Sequence, residues 1–244
     1  MAQLTEMAID KIRSLIISGE LPPGARLPPE HDLAGQLGSS RNTTREAVRA
    51  LVTARVLDVR RGDGTYVTSL RPELLLEGVA FAVELIQDEN ALQLTELRKA
   101  LEPAATELAA QRIDADGLAR VLHHLQLMRD SAGNVEELVT HDADFHAAVA
   151  AATGNPAMAS VLRGISSRTL RGRVWHGIVE EDAIQRTIAE HERIYDALVA
   201  RDPALARATA LVHVSTTENF VRRVLATEAG SSDVYGAARA GEEV

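Results

Sequence analysis

Residues 38–51 read GSSRNTTREAVRAL. Gly38 is typical of the end of one helix, and Ser39 or Ser40 can cap the start of the next. Three arginines then recur every four residues and so share one face of that helix: Arg41, Arg45 and Arg49. A cationic stripe beside short hydrogen-bonding side chains suits a helix that lies against phosphates and base edges. A solvated surface helix has the same pattern, so this stretch alone leaves both interpretations open.

The sequence on either side of this helix predicts a winged helix-turn-helix. Residues 5–18 and 30–37 have helical spacing of apolar residues, and the turn-rich stretch LPPGARLPP lies between them. After the arginine helix, VLDVRRGDGTYVTSL reads as two short strands around a Gly-Asp-Gly turn. Because a lone hairpin is only marginally stable, we expect it to pack on the helices within one domain, residues 1–70.

Beyond residue 70 the sequence shows only helical periodicity. Apolar residues recur at helical spacing in five segments: 74–86, 92–110, 116–128, 135–152 and 184–199. Asn155-Pro156 and Asp202-Pro203 are typical of helix starts. We therefore predict a mainly α protein with a bundle of six or seven helices in residues 71–228. Residues 229–244 are predicted to be a disordered tail.

Composition limits the class of protein. The chain has 244 residues, of which 45% are hydrophobic and 3% aromatic, so Leu, Ala and Val must provide most of the packing. The absence of cysteine excludes disulfides and thiolate metal ligands. No apolar run approaches the roughly 20 residues needed to span a bilayer, and the amphipathic N-terminus does not resemble a signal peptide. We expect a cytoplasmic protein with no membrane partner.

Charge is distributed unevenly between the two predicted domains. Residues 1–70 hold nine Lys and Arg against eight Asp and Glu, whereas the remaining residues hold 17 against 27. The net charge of −9 argues against indiscriminate binding to nucleic acid. Only the first domain is suited to approach DNA.

Three stretches of the first 70 residues resemble the DNA-binding domain of GntR-family transcription regulators: ISGELPPGARLPPEHDLA, GSSRNTTREAVRAL and VRRGDGTYV. The helical remainder resembles the FadR-type effector domain (FCD domain) in ELRKALEPAATELAA, DADFHAAVAAATGNP and HERIYDALVARDPALARATALVHV. The chain departs from the family pattern at Pro29, His31 and Arg55, where Ser, Arg and Gly are frequent. The resemblance implies a DNA-binding regulator, most often a repressor, rather than an enzyme.

The resemblance also implies how DNA is contacted. A homodimer would bind a palindromic double-stranded operator, because a two-fold protein matches a two-fold site. The helix would read or clamp base edges, and the wing would follow the backbone or the minor groove. The residues assigned to these contacts are Arg41, Thr43, Thr44, Arg45 and Arg49 on the helix and Arg60, Arg61 and Gly62 in the wing.

Four residues of the second domain form a candidate metal site. Asp142 and His146 are four apart and share a helical face, while His191 and His213 lie on the last two predicted helices. Such ligands suit Zn²⁺, Ni²⁺, Mn²⁺ or Fe²⁺. A single helical histidine is more often a surface or hydrogen-bonded residue, and we interpret His123, His124 and His176 in that way. The four-residue set is assigned to metal because its motifs resemble those of metal-binding effector domains.

An ion with four protein ligands in octahedral geometry keeps two positions for a small carboxylate effector, such as a sugar acid. Arg98 resembles the effector-facing arginine of the family, but an Arg98–Glu102 pair within one helix is an equal alternative. Trp175 lines the effector cavity or fills the core or a dimer interface. Two rival functions remain at this point, namely a metal-dependent hydrolase and a structural metal without an effector.

Overall fold

The structure is a computed structural model in which residues 2–76, 91–131, 133–166 and 181–240 are described. The chain divides into two compact units, Met1–Gly78 and Val79–Val244. The boundary therefore comes after Gly78, whereas the sequence places it after residue 70. The short helix that follows residue 70 belongs to the first unit.

The N-terminal unit contains the three helices and the hairpin that the sequence predicts. Its elements in chain order are α1 (Ala2–Ile17), α2 (Glu30–Leu37), α3 (Arg41–Thr53), β1 (Leu57–Arg60), β2 (Gly64–Val67) and α4 (Pro72–Leu75). The strands pair antiparallel, from Leu57 opposite Val67 to Arg60 opposite Gly64. This arrangement confirms the predicted winged helix-turn-helix, with the hairpin as the wing.

The turn between α2 and α3 follows from two local signals. Gly38 ends α2 with φ +61°, a left-handed conformation that glycine adopts without steric cost. Ser40 then caps α3, since its Oγ accepts a hydrogen bond from Thr43 N over 3.1 Å. A cap of this kind stabilises a helix by about 1 kcal/mol. Pro29 provides no side-chain cap to α2.

A small apolar core fixes α3 against the rest of the first unit. Ile12, Leu33 and Ala47 are almost completely buried, one from each helix, and Leu57 of the wing joins them. Arg55, where the family often has glycine, lies between α3 and β1 with φ +58°. The backbone therefore keeps the left-handed turn at this position even with a large side chain.

The described part of the C-terminal unit consists of six helices. They are α5 (Ala91–Arg112), α6 (Ala115–Asp130), α7 (Val135–Ala152), α8 (Pro156–Ile165), α9 (Glu181–Val199) and α10 (Pro203–Ala240). The predicted helical bundle is thereby confirmed. The segment 74–86, which the sequence also predicts to be helical, lies largely outside the described residues.

The last helix continues past residue 229. Residues 229–244 are predicted from composition to be disordered, but α10 runs to Ala240. The segment contains no proline, and a helix that is already nucleated extends at low cost per residue.

The helix α7, which carries two of the candidate ligands, packs mainly against α5, α6 and α8. Phe145 of α7 is fully buried in a core shared with Leu125 of α6, Ile194 of α9 and Ala210 of α10. This packing turns one face of α7 toward α9 and α10. In the described part of the chain, no helix is both long and apolar enough to cross a membrane.

Candidate metal centre and nucleic-acid interface

Four side chains that are distant in sequence converge inside the C-terminal unit. Asp142 and His146 lie on α7, His191 on α9 and His213 on α10. One ring nitrogen of each histidine lies within 4.8 Å of the other two. Asp142 Oδ1 is 2.8 Å from His191 Nε2 and 3.8 Å from His146 Nε2, and these two Nε2 atoms are 3.1 Å apart. The structure thus brings together all four predicted ligands.

The second nitrogen of each imidazole faces an oxygen atom. His191 Nδ1 donates to the backbone carbonyl four residues earlier over 2.8 Å. His213 Nδ1 donates to Glu190 Oε2 over 3.1 Å, and His146 Nδ1 lies 3.6 Å from Glu102 Oε2. Metal-binding histidines usually have such a partner, because it fixes the tautomer and directs the other lone pair toward the ion.

The burial of the His213 ring also fits a site for a divalent transition-metal ion. His213 Nε2 is buried and has no hydrogen-bond partner within the described residues, although buried polar atoms are normally satisfied. Burial, together with the nearby charge of His191, lowers the pKa of His213. Both effects favour the neutral imidazole, which is the form that keeps a lone pair for coordination.

Arg98 lies beside this cluster and is paired within its own helix. Its side chain is 1% exposed, and its Nε donates to Glu102 Oε1 over 2.6 Å. Burial opposes the charge of Arg98, but the carboxylates of Glu102 and Asp142 raise the pKa of the guanidinium. The intrahelical pair is therefore present, and it lies close enough to the cluster to act on it electrostatically.

Glu102 and Glu190 were not identified as site residues from the sequence. Glu102 is 6% exposed, accepts a hydrogen bond from Ser166 Oγ over 2.8 Å and links Arg98 to His146. The only indication of Glu102 in the sequence is its spacing of four residues from Arg98, which places both on one face of a helix. Trp175, the other predicted effector residue, lies outside the described residues.

In the N-terminal unit the three arginines of α3 are exposed, as predicted, and two of them are paired with carboxylates. Arg45 contacts Glu30 of α2 with two nitrogens, at 2.7 and 3.2 Å. Arg49 Nη1 donates to Glu46 Oε1 over 2.8 Å. The side chains of Arg45 and Glu30 are each 46% exposed, so this pair contributes little to folding and mainly orients the arginine.

The structure corrects the assignment of Thr44. Its side chain is fully buried, and its hydroxyl lies 2.8 Å from Ser39 Oγ. It faces the core because it lies three residues before Ala47, on the apolar side of α3. Thr43, one residue earlier, is half-buried with its hydroxyl 2.8 Å from Ser40 Oγ, so it keeps a polar group near the helix start.

The wing presents its predicted residues at the turn between β1 and β2. Arg61 and Gly62 are exposed there, and Gly62 has φ +75°. Arg60 is exposed and packs over the ring of Tyr66, 4.1 Å from its centroid. Both arginines can therefore approach a phosphate backbone without rearrangement of the hairpin.

Arg26 supports this turn and was also missed from the sequence. Its guanidinium donates to the carbonyl of Asp63, and its backbone pairs with Tyr66. A Cβ at Gly64 would lie 2.7 Å from Arg26 Nε, so any other residue there would displace this side chain. The sequence gives little indication of this contact, because 37 residues separate Arg26 from Asp63.

Comparison with known proteins agrees with this geometry. Residues 4–67 match the family described as bacterial regulatory proteins, gntR family, and residues 93–216 match the FCD domain. This chain belongs to the GntR family. The matched segments cover the helix-turn-helix with its wing and the helices that carry the histidine cluster, so the predicted resemblance is confirmed.

Several relatives align along most of this regulator. The HTH-type transcriptional regulator LutR of Bacillus subtilis (strain 168) is 31% identical over 212 residues, which cover 85% of this chain and 96% of LutR. The galactonate operon transcriptional repressor of Escherichia coli (strain K12) is 26% identical and covers 90% and 97%. A Streptococcus agalactiae GntR structure is 31% identical, covers 88% and 99%, and has a TM-score of 0.61.

These relatives establish the general activity. The family and these relatives are transcription regulators, so the chain is a DNA-binding transcription regulator and not an enzyme. The hydrolase alternative is therefore excluded.

Proposed function

We propose that this regulator is a homodimeric repressor whose affinity for a palindromic operator is controlled by a small carboxylate. The carboxylate would bind at a metal ion held by Asp142, His146, His191 and His213. The observation that carries the proposal is the convergence of these four side chains, with an oxygen atom facing the second nitrogen of each imidazole.

The DNA-binding half of the proposal rests on α3. Its exposed start presents Arg41 and Thr43, and one turn later Arg45, to the major groove. Arg45 can grip a guanine with two hydrogen bonds only if it exchanges Glu30 for the base. Glu30 would thus hold Arg45 extended in the free protein and weaken its contacts with the phosphates of non-operator DNA.

The effector half rests on the chemistry of the cluster. A bound ion with these four ligands would supply two further positions, which suit a carboxylate oxygen and an adjacent hydroxyl. Arg98 lies beside the cluster and would add a cation on the side of the effector carboxylate. The galactonate operon repressor supports this class, since galactonate is a 2-hydroxycarboxylate.

Coupling between the sites would pass through the helices that carry the ligands. His191 lies on α9 and His213 on α10, and Glu190 hydrogen-bonds across from one helix to the other. An effector that binds one arrangement of these helices better than another shifts the population toward it. The change in operator affinity cannot exceed the difference between the effector's binding free energies for the two helix arrangements.

The test is operator binding by the full-length protein. An operator is first selected from randomised DNA duplexes, and its affinity is measured by fluorescence anisotropy with Zn²⁺ and with galactonate, gluconate or lactate. We expect one acid to change the affinity at least fivefold, and EDTA or His213→Ala to abolish that change. An unchanged affinity with every acid, despite bound zinc, would contradict the effector proposal and leave a structural metal.

Arg41→Ala tests the DNA-binding half separately. This exposed arginine begins α3, and its loss should lower the preference for the selected operator over random DNA by about 1–3 kcal/mol, as expected for one bidentate base contact. The far-UV circular dichroism spectrum of the protein should be unchanged, which would show that the variant is folded. An unaltered preference in this variant would remove Arg41 from the recognition surface.

A further inference from the structure

A second group of metal-ligating side chains lies in the C-terminal unit, apart from the first. His124 of α6 and His141 and Asp144 of α7 bring one ligand atom each within 4.8 Å of one another. All three side chains are half-buried. The ring centroids of His124 and His141 are 6.2 Å apart with a tilted arrangement, so the rings do not stack on each other.

The connection between α6 and α7 explains why these residues meet. The two helices are joined by four residues, 131–134, and such a short connection makes neighbouring helices antiparallel. His124 lies six residues before the end of α6 at Asp130, and His141 lies six residues after the start of α7 at Val135. In an antiparallel helix pair these two positions lie side by side, at the same height along the helix axes.

Two nitrogen atoms in this group lack the partner that their burial requires. His124 Nδ1 and His141 Nδ1 are both buried, and neither has a hydrogen-bond partner in the described part of the chain. Buried polar atoms in folded proteins are nearly always satisfied, and a metal ion bound at the site is one recognised reason for an exception. Among the described residues the only other unsatisfied buried side-chain atom is His213 Nε2, which points into the first cluster.

The two groups occupy different faces of α7. At about 100° per residue, the midpoint of Asp142 and His146 is about 150° around the helix from the midpoint of His141 and Asp144. One ion cannot therefore be shared between the two groups. The first faces α9 and α10, and the second faces α6.

We propose that His124, His141 and Asp144 form a second transition-metal site, suited to Zn²⁺, which ties α6 to α7. Two imidazoles and one carboxylate are ligands that zinc accepts, and three protein ligands leave a fourth tetrahedral position for water. Zinc–nitrogen bonds of about 2.0–2.1 Å require tetrahedral ligand atoms about 3.4 Å apart. The present spacing of at most 4.8 Å reaches that value by small rotations of the side chains.

The test counts zinc ions bound to the full-length protein, with excess metal removed by dialysis against a zinc buffer. The double variant His191→Ala/His213→Ala leaves the first cluster only one imidazole and one carboxylate, so that remaining zinc reports on the second group. We expect one equivalent in this double variant and none when His124→Ala is added to it. His123→Ala provides the matched control, because this exposed neighbour lies outside the group and its loss should leave the single equivalent in place.

Asp144→Asn keeps the experiment decisive if His124→Ala fails to fold. In the His191→Ala/His213→Ala background this nearly isosteric change should weaken zinc binding at least tenfold in a chelator competition, without loss of helical circular dichroism. The proposal is overturned if His191→Ala/His213→Ala binds no zinc, or if adding His124→Ala and adding His123→Ala to it have the same effect. These outcomes do not depend on whether the first cluster responds to an effector.

Discussion

Glu190 provides the sharpest test of the metal centre, because it acts on a ligand without being one. Its Oε2 accepts from His213 Nδ1 over 3.1 Å, and its Oε1 accepts from Thr216 Oγ1 over 2.9 Å. The carboxylate thereby fixes the tautomer of His213 and directs the unsatisfied Nε2 into the cluster. Glu190→Ala removes this support and leaves every proposed ligand in place.

The expected magnitude follows from burial. Removing the partner of a metal-binding histidine typically weakens metal affinity by about 10–100-fold, or about 1.4–2.8 kcal/mol. The side chains of His213 and Glu190 are only 3% and 12% exposed, so solvent screens their interaction weakly. We therefore expect Glu190→Ala to fall in the upper half of that range. Glu190→Gln keeps an acceptor oxygen and should cost about tenfold or less.

The assay is zinc affinity measured by competition with a chromophoric chelator. Glu192→Ala is the matched control, because Glu192 also lies on α9 but pairs with Arg129. Those two side chains are 38% and 47% exposed and lie away from the four ligands. Loss of this surface pair should change zinc affinity less than twofold.

Either of two results would refute the reasoning. If Glu190→Ala and Glu192→Ala bind zinc with the same affinity as the unaltered chain, Glu190 does not orient a ligand. If His213→Ala binds as much zinc as the unaltered chain, and as tightly, the cluster itself is not a metal centre. The order unaltered chain, Glu190→Gln, Glu190→Ala, from tightest to weakest, is the outcome that supports the proposal.

Three further predictions concern the N-terminal unit. Ser40→Ala should lower its free energy of unfolding by about 1 kcal/mol in urea denaturation, because the cap of α3 is lost; an unchanged midpoint would contradict the cap. Thr44→Val removes a buried hydroxyl contact and should cost about 1 kcal/mol of stability with operator affinity unchanged, whereas Thr43→Val should weaken operator binding in an anisotropy titration; equal effects on DNA would contradict the burial argument. Glu30→Gln frees Arg45 and should strengthen binding to random DNA more than binding to the operator, and a constant ratio of the two affinities would exclude an orienting role.

The DNA-binding unit illustrates what can be predicted locally. Helix periodicity, the Gly38 stop, the Ser40 cap and the wing turn depend on residues a few positions apart, so their pattern is visible in the sequence. Asp142 and His146 are equally local, since a spacing of four residues places them on one helical face. Thr44 lies three, four and seven residues before Ala47, Val48 and Leu51, so helical spacing alone places it on the inward face of α3, away from the DNA contact that the resemblance implies.

The chain's amino-acid order determined its mainly α class, the arginine stripe of α3, the family and the residue types able to bind a metal. Tertiary packing decided which distant groups meet: Glu30 with Arg45, Glu190 with His213, Glu102 with His146, and His124 with His141. The physical reason is that a side chain's partners across helices depend on how each helix is rotated and aligned against its neighbours. That choice is made by burial of apolar surface over the whole unit, and no short spacing in the sequence records it.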